Sequence, residues 1–303
     1  MDQKDIIFAL STPSGKSAIA VFRISGRGSH KVIKNMSSVK KTTKNSAIVN
    51  YIFDKNKKHI DQTITTYFKS PNSFTGEDMV EISCHGSLAV IKKISKNFIE
   101  NNLRPAGPGE FTRRSLENNK IDITKVEALG DLINANTEKQ REMALGNLSG
   151  RLTNYSLDIK NKIIKIIANV EAFIDFSDEE LPKNLKIKIE EQKKNIIKSI
   201  EKVIKNSSIA ETIRSGFVVS VIGKPNTGKS SFVNFVSGRD VSIVTNIPGT
   251  TRDLVETLID KNGYQIRLID TAGLRKHKNN IEEIGIRKTV DLSKKSNLNL
   301  VFL

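Results

Sequence analysis

The stretch FVVSVIGKPNTGKSSFVNFVSG, residues 217–238, decides the fold of the C-terminal part of the chain. Its first seven residues are almost continuously apolar, which predicts a buried strand of a parallel sheet. GKPNTGKS, residues 223–230, then matches the pattern G-x-x-x-x-G-K-[ST] at every fixed position, and a helical pattern follows. This order predicts a phosphate-binding loop, in which Lys229 reaches the β- and γ-phosphates and Ser230 ligates magnesium.

Two further motifs follow in the order that P-loop GTPases use. GTTRD, residues 249–253, offers two threonine hydroxyls for a switch segment. DTAG, residues 270–273, directly follows a predicted strand. Its aspartate is therefore placed to hold magnesium through water, and its glycine lets a backbone N–H approach the γ-phosphate. The three motifs together predict a nucleoside triphosphatase of the GTPase type.

The usual motifs for recognising the guanine base and for orienting the attacking water do not stand at their expected positions. Guanine recognition needs an NKxD motif after DxxG, and residues 273–303 contain none. The string NKID at 119–122 precedes the P-loop and cannot reach the base from there. Leu274 stands where Ras-like enzymes place a water-orienting Gln, and its side chain cannot accept a hydrogen bond. Glu282 and Glu283 are the nearby carboxylates, and a solvated helix residue remains the alternative for each.

Composition limits the class of protein. The 303 residues predict two or three domains, and a formal charge of +16 favours polyanions such as RNA as partners. Residues 1–118 carry 19 Lys and Arg against 10 Asp and Glu, although a lysine-rich surface that only aids solubility explains the same excess. Without an apolar run near ~20 residues or a secretory signal, we expect a cytoplasmic protein that does not use a membrane. The single cysteine, Cys84, excludes an internal disulfide, and we expect it to be a partly buried small hydrophobe.

Periodicity divides the chain into three predicted domains. Residues 1–118 predict an α+β domain. Its predicted elements are strands at 18–24, 47–53, 63–68 and 79–83 and a helix at 88–99. Residues 119–213 contain two apolar series at helical spacing, separated by Pro182, and predict an α-helical domain. Residues 214–303 predict a doubly wound α/β P-loop domain with a last strand at 298–303. Because the sequence stops in that strand, we expect this domain and the helical one to be incomplete.

These motifs together resemble one family, the MnmE (TrmE) tRNA-modification GTPases. The most specific stretches are PNSFTGED (71–78), CHGS (84–87), RPAGPGEFTRRS (104–115), NNKIDITKVEALGDLINA (118–135), IDFSDEE (174–180), GKPNTGKSSFVN (223–234), VTNIPGTTRD (244–253) and DTAGLR (270–275). The resemblance implies an N-terminal domain that dimerises and binds a formyl-tetrahydrofolate, a helical domain, and a GTPase domain inserted in the helical one. It also implies GTP hydrolysis during modification of the wobble uridine of tRNA at C5 with a carboxymethylaminomethyl-type group, together with the flavoprotein MnmG.

The resemblance also implies site residues. For GTP these are Asn226, Thr227, Gly228, Lys229, Ser230, Ser231, Thr245, Asn246, Ile247, Pro248, Gly249, Thr250, Thr251, Asp270, Thr271, Ala272 and Gly273. The implied magnesium ligands are Ser230 and Thr251, and the implied potassium ligands are Asn226, Thr245, Ile247 and Thr250. The implied 5-formyl-tetrahydrofolate ligands are Arg23, Glu81 and Lys120. With potassium in the place of an arginine finger, Glu282 would orient the attacking water.

Two alternatives stay open on the sequence. The first is a folate- and RNA-binding dimerisation module without competent GTPase activity. The second is a ribosome-assembly GTPase with an unrelated N-terminal domain, and the motifs PGEFTRRS and NSFTGED count against it.

Overall fold

A computed structural model describes residues 5–39, 44–175, 185–223, 227–239, 255–270 and 292–303. Contacts divide the chain into two compact units, residues 1–126 and 127–303, and each unit is described by itself. Most of the predicted helical domain and the whole predicted P-loop domain fall within the second unit. The three-domain boundaries therefore stay a prediction.

The first unit is built on a six-stranded sheet. Its strands are β1 (Ile7–Leu10), β2 (Ile19–Ser25), β3 (Ala47–Phe53), β4 (His59–Phe68), β5 (Met79–His85) and β6 (Arg104–Pro105). Their order across the sheet is β3-β4-β5-β2-β1-β6. Neighbouring strands are antiparallel except β1 and β6, which are parallel. The four predicted strands are confirmed as β2 to β5, whereas β1 and β6 were not predicted.

Period-2 alternation turns one face of this sheet toward its helices. Helices α1 (Ser29–Asn35) and α2 (Leu88–Glu100) contribute to the core on that face, and α3 (Glu110–Glu117) follows β6 in the chain. Phe98 of α2 is fully buried, and its ring packs edge-on against Phe8 and Phe22 at centroid distances of 5.1 and 5.4 Å. Burying a side chain of this size stabilises the fold by roughly 1.5–3 kcal/mol. The apolar stripe that predicted a helix at 88–99 is therefore the stripe that seals the core.

Four helices follow in the chain. They are α4 (Ile123–Asn134), α5 (Glu138–Leu148), α6 (Arg151–Asp175) and α7 (Leu185–Ser215). The two apolar series predicted on either side of Pro182 are confirmed as α6 and α7, whereas α4 and α5 were not predicted. Tyr155 of α6 and Ser199 of α7 form a hydroxyl–hydroxyl hydrogen bond of 3.3 Å. Several apolar side chains of α6 stay exposed, including Ile164 at 50% and Phe173 at 48%. None of the helices within the described ranges combines the length and apolarity that a membrane span requires.

The second unit also contains a four-stranded sheet. Its strands are β7 (Phe217–Gly223), β8 (Val255–Lys261), β9 (Tyr264–Asp270) and β10 (Leu298–Phe302), in the order β10-β7-β9-β8. The central strand β7 is parallel to both neighbours, and helix α8 (Lys229–Arg239) follows it. Val221, Leu268 and Val233 form the centre of the core beneath α8. This architecture confirms an α/β P-loop-type fold, while the antiparallel edge strand β8 was not predicted.

Candidate functional site: a phosphate loop and a basic–acidic pair on the N-terminal sheet

The phosphate loop begins where β7 meets β10. Gly223 ends β7, and a Cβ at this position would collide with the carbonyl oxygen of Phe302 and lie 3.0 Å from its Cβ. Only glycine therefore allows the two parallel strands to approach each other here. Packing of the two strands thus accounts by itself for the first glycine of the motif.

Lys229 is buried at the first position of α8. It is only 5% exposed, and its ammonium donates to the Gly223 carbonyl at 2.9 Å and to the Thr227 hydroxyl at 3.5 Å. Gly228 precedes it with φ +88°, a left-handed conformation that glycine adopts without strain. The buried ammonium and the N–H groups of the helix N-terminus both favour an anion at this place.

The second phosphate-site motif starts at the same edge of the sheet. Asp270 is the last residue of β9, and its backbone pairs in register with Val221 of β7. Because parallel strands end at the same edge, the backbone of Asp270 lies beside the start of the phosphate loop. Ser231 is exposed in the first turn of α8.

The other predicted residues of this site lie outside the description. The residues not described are Asn226, Thr245, Asn246, Ile247, Pro248, Gly249, Thr250, Thr251, Thr271, Ala272, Gly273 and Glu282. For Ser230 and Asp270 the structure describes the backbone only. The predicted potassium ligands and the water-orienting carboxylate therefore remain predictions.

A second candidate site lies on the sheet of the first unit. Arg23 of β2 and Glu81 of β5 are in register on neighbouring strands, and the Arg23 Nε donates to Glu81 at 2.7 Å. Their side chains are 42% and 27% exposed. Alternation places both on the face opposite the helix-packed core, because Phe22 and Ile82 beside them are buried in that core. The pair joins residues 58 positions apart, which the sequence pattern could not show.

The side chain of Lys120 lies next to the loop that precedes β5. Gly76 in this loop has φ +77°, and a Cβ there would lie 3.1 Å from the Lys120 Cγ and 3.2 Å from the Asn118 Cβ. In the same loop, the Phe74 ring centroid lies 6.0 Å from the guanidinium carbon of Arg23. The loop therefore contacts Arg23 at one residue and Lys120 at another.

A buried ion network beneath this loop was not predicted. Arg114 of α3 donates to Glu77 at 3.2 Å, to Asp5 at 2.6 Å and to Glu110 at 3.1 Å. Arg104 donates to Glu110 at 2.7 Å. All of these residues except Asp5 belong to PNSFTGED and RPAGPGEFTRRS, so the specific motifs were a signal, but nothing in the sequence paired them.

The pKa values of Glu110 and Cys84, both in the first unit, are shifted from their usual ranges. The hydrogen bond from Arg104, helped by the Gly107 N–H and Arg114, outweighs burial and holds the pKa of the Glu110 carboxyl at about 2. Burial, and next the charge of Asp61, raises the pKa of the Cys84 thiol to about 11. Cys84 is only 4% exposed, so it is buried more deeply than predicted, and it stays a protonated, unreactive thiol at neutral pH.

Comparisons with known proteins agree with the motifs. A family model described as the GTP-binding protein TrmE N-terminus matches residues 6–120, and one described as the MnmE helical domain matches residues 123–300. A protein of Neorickettsia sennetsu named tRNA modification GTPase MnmE is 41% identical, covering 98% of this chain and 54% of its own length. The Pelagibacter ubique protein of the same name is 40% identical over 98% of this chain and 68% of its own length.

The G domain of the T. maritima FeoB iron transporter, a solved structure, is 31% identical over 28% of this chain and 54% of its own. Its TM-score of 0.21 is too low to establish a common fold. The chain spans about half to two thirds of the length of the curated relatives it matches. Two adjoining family models and about 40% identity over nearly all of its residues leave one conclusion, that the chain belongs to the MnmE (TrmE) family.

Proposed function

We propose that the protein hydrolyses GTP and acts in the modification of tRNA, at C5 of the wobble uridine, where it would help to install a carboxymethylaminomethyl-type group. Family membership supports this proposal. The observation that carries its nucleotide-hydrolysing part is Lys229, a residue that is 5% exposed at the start of α8. A buried lysine at the N-terminus of a helix after a parallel strand is suited to a triphosphate and to few other ligands.

The chain's own groups would work by charge compensation and positioning. The Lys229 ammonium would exchange its bond to the Gly223 carbonyl for phosphate oxygens, so that no new charge needs to be buried without a partner. Magnesium would neutralise charge on the β- and γ-phosphates. Hydroxyls are hard oxygen ligands of the kind it prefers, so Ser230 and Thr251 would ligate the ion and Asp270 would hold it through water.

The magnesium assignment is tested by titrating the chain with a fluorescent GTP analogue, with and without magnesium. We expect magnesium to tighten binding in the wild type, and Ser230→Ala to lose that effect. Ser208→Ala, at an exposed serine of α7 outside every proposed site, is the control. Equal magnesium dependence in Ser230→Ala and the wild type would remove Ser230 from the site.

We also propose that attack on the γ-phosphate uses potassium in place of an arginine finger. The proposal rests on the family and on four oxygen-bearing positions. These are the side chain of Asn226, the carbonyls of Thr245 and Ile247, and Thr250. Glu282 would orient the attacking water, through a second water because a carboxylate and a triphosphate repel each other.

For the first unit we propose binding of 5-formyl-tetrahydrofolate or a related one-carbon folate by Arg23, Glu81 and Lys120. The two cations suit the carboxylates of the glutamate tail, and the carboxylate of Glu81 suits the donor edge of a pterin ring. Calorimetry with 5-formyl-tetrahydrofolate tests the assignment. We expect Arg23→Ala to weaken binding strongly, whereas Arg113→Ala, an exposed residue of α3, should leave the affinity unchanged. Equal affinity of Arg23→Ala and the wild type would remove Arg23 from the site.

The proposed partners are tRNA, the flavoprotein MnmG and a second copy of the chain through the N-terminal domain, in the cytoplasm. Exposed lysines at the β3–β4 turn, Lys55, Lys57 and Lys58, offer positive charge to an RNA backbone. Changing these three to alanine should weaken tRNA binding and reduce its dependence on salt in an electrophoretic or fluorescence titration. An unchanged salt dependence would exclude this turn from the RNA contact.

A further inference from the structure

The loop that carries Phe74 is anchored from below by α3 and its C-cap. The Ser115 hydroxyl donates to the Phe74 carbonyl at 2.7 Å, and the Asn118 amide donates to the Thr75 carbonyl at 2.7 Å. Ser115 and Thr75 are both fully buried. Two consecutive backbone carbonyls are thus held by side chains of one short segment, which fixes the direction in which Phe74 leaves the loop.

Buried polar contacts hold the other side of the same loop. The Ser25 hydroxyl lies 2.7 Å from the Thr75 hydroxyl and donates to Glu77 at 2.7 Å. Arg114 donates to the same carboxylate at 3.2 Å. A loop satisfied by this many buried partners does not rearrange cheaply, because each bond left unmade inside the protein costs free energy.

The anchored loop presents an aromatic ring beside Arg23, one of the family-implied ligand residues. Phe74 is half-buried, and its ring lies 6.0 Å from the Arg23 guanidinium. Two residues further on, Gly76 leaves room for the stem of Lys120, which a side chain at that position would displace. One loop therefore lies next to two of the three predicted ligand residues, with Phe74 beside Arg23 and Gly76 beside Lys120.

We propose that Phe74 is a further ligand-binding residue of this site, which packs against the planar ring of a reduced pterin, and that Ser115 and Asn118 are positioning residues that act through it. The proposal rests on the proposed folate function. An aromatic ring attracts a planar heteroaromatic ring by offset stacking. The Arg23–Glu81 pair supplies hydrogen-bonding groups but no such surface, and Phe74 supplies it at the neighbouring position.

The experiment is calorimetry of the whole chain with 5-formyl-tetrahydrofolate. We expect Phe74→Leu, which keeps apolar volume but removes the ring, to weaken binding about tenfold, or about 1.4 kcal/mol. Phe74→Tyr should bind like the wild type because it restores the ring. Phe53→Leu, a half-buried aromatic of β3 that packs against His59, is the matched control and should leave affinity unchanged.

A double-mutant cycle tests the positioning role. If Asn118 acts through Phe74, Asn118→Ala weakens binding on its own but adds nothing in the presence of Phe74→Leu. Losses that add would show that Asn118 acts independently and would overturn its positioning role.

The outcomes separate the two proposals. If Arg23→Ala loses binding while Phe74→Leu binds like the wild type, the role of Phe74 is refuted and the folate site stands. If the wild-type chain binds no 5-formyl-tetrahydrofolate, the folate proposal is refuted and the role of Phe74 with it.

Discussion

Neutralising Glu110 should destabilise the first unit by an amount that depends on pH. Its carboxylate accepts hydrogen bonds from Arg104 at 2.7 Å, Arg114 at 3.1 Å and the Gly107 N–H at 2.8 Å, and its side chain is 6% exposed. A pKa of about 2 in the folded chain, against 4.5 for an ordinary Glu, corresponds to about 3 kcal/mol of stability at neutral pH. Removing one partner of a buried pair typically costs a similar ~3–5 kcal/mol.

The sign of the pH dependence follows from the lowered pKa. The carboxylate stabilises the fold fully above about pH 4.5, and this contribution is lost as the pH falls toward about 2, so that less than about half of it remains at pH 3. Urea denaturation of wild type and Glu110→Gln, followed by circular dichroism at pH 7 and pH 3, measures the difference. Glu117→Gln is the control, because Glu117 pairs with Arg113 at 3.6 Å on the exposed side of the same helix and should matter by less than ~1 kcal/mol. Equal losses for both variants, or a Glu110→Gln loss that is the same at both pH values, would refute the reasoning.

Three further predictions concern the potassium site, the carboxylate that orients water, and dimerisation. GTP turnover should rise strongly when potassium replaces sodium, and Asn226→Ala should remove this dependence; turnover indifferent to the cation would contradict the potassium site. Glu282→Ala should lower turnover without weakening nucleotide binding, and Glu283→Ala should not; the reverse result would move the role to Glu283. Light scattering should report a dimer of the chain at micromolar concentration, and a monomer alone would count against the proposed self-association.

The sequence predicted elements whose signal is local. The apolar run of β7 and the helical stripe of α2 each carry their periodicity within one segment, and both were found within one or two residues. The four-residue strand β1 is stabilised by pairing with β2 and β6, so its own residues carried little signal. The edge strand β8 did carry a local signal that was not used, because Asn262 and Gly263 form a two-residue hairpin turn that joins it to β9.

In the sites, too, the residues of a contiguous motif were predicted, and the contacts between distant residues were not. Lys229 was predicted because the phosphate motif is contiguous. The contact of Phe74 with Arg23 and the bond from Ser115 to the Phe74 carbonyl join residues about 40 to 50 positions apart, which only the register of β2 with β5 and the placement of α3 bring together. Family resemblance named Arg23, Glu81 and Lys120 without showing the loop that lies between them.

The central claim is that the buried Lys229 binds the phosphates of a nucleoside triphosphate. The most direct measurement is magnesium-dependent release of phosphate from GTP by the chain, comparing the wild type with Lys229→Ala. Lys139→Ala, at an exposed ion pair with Glu142, is the control. The account predicts turnover in the wild type and in Lys139→Ala and its loss in Lys229→Ala, because the phosphate charge is then left uncompensated. Equal turnover in Lys229→Ala and the wild type, or no turnover in the wild type, would contradict it.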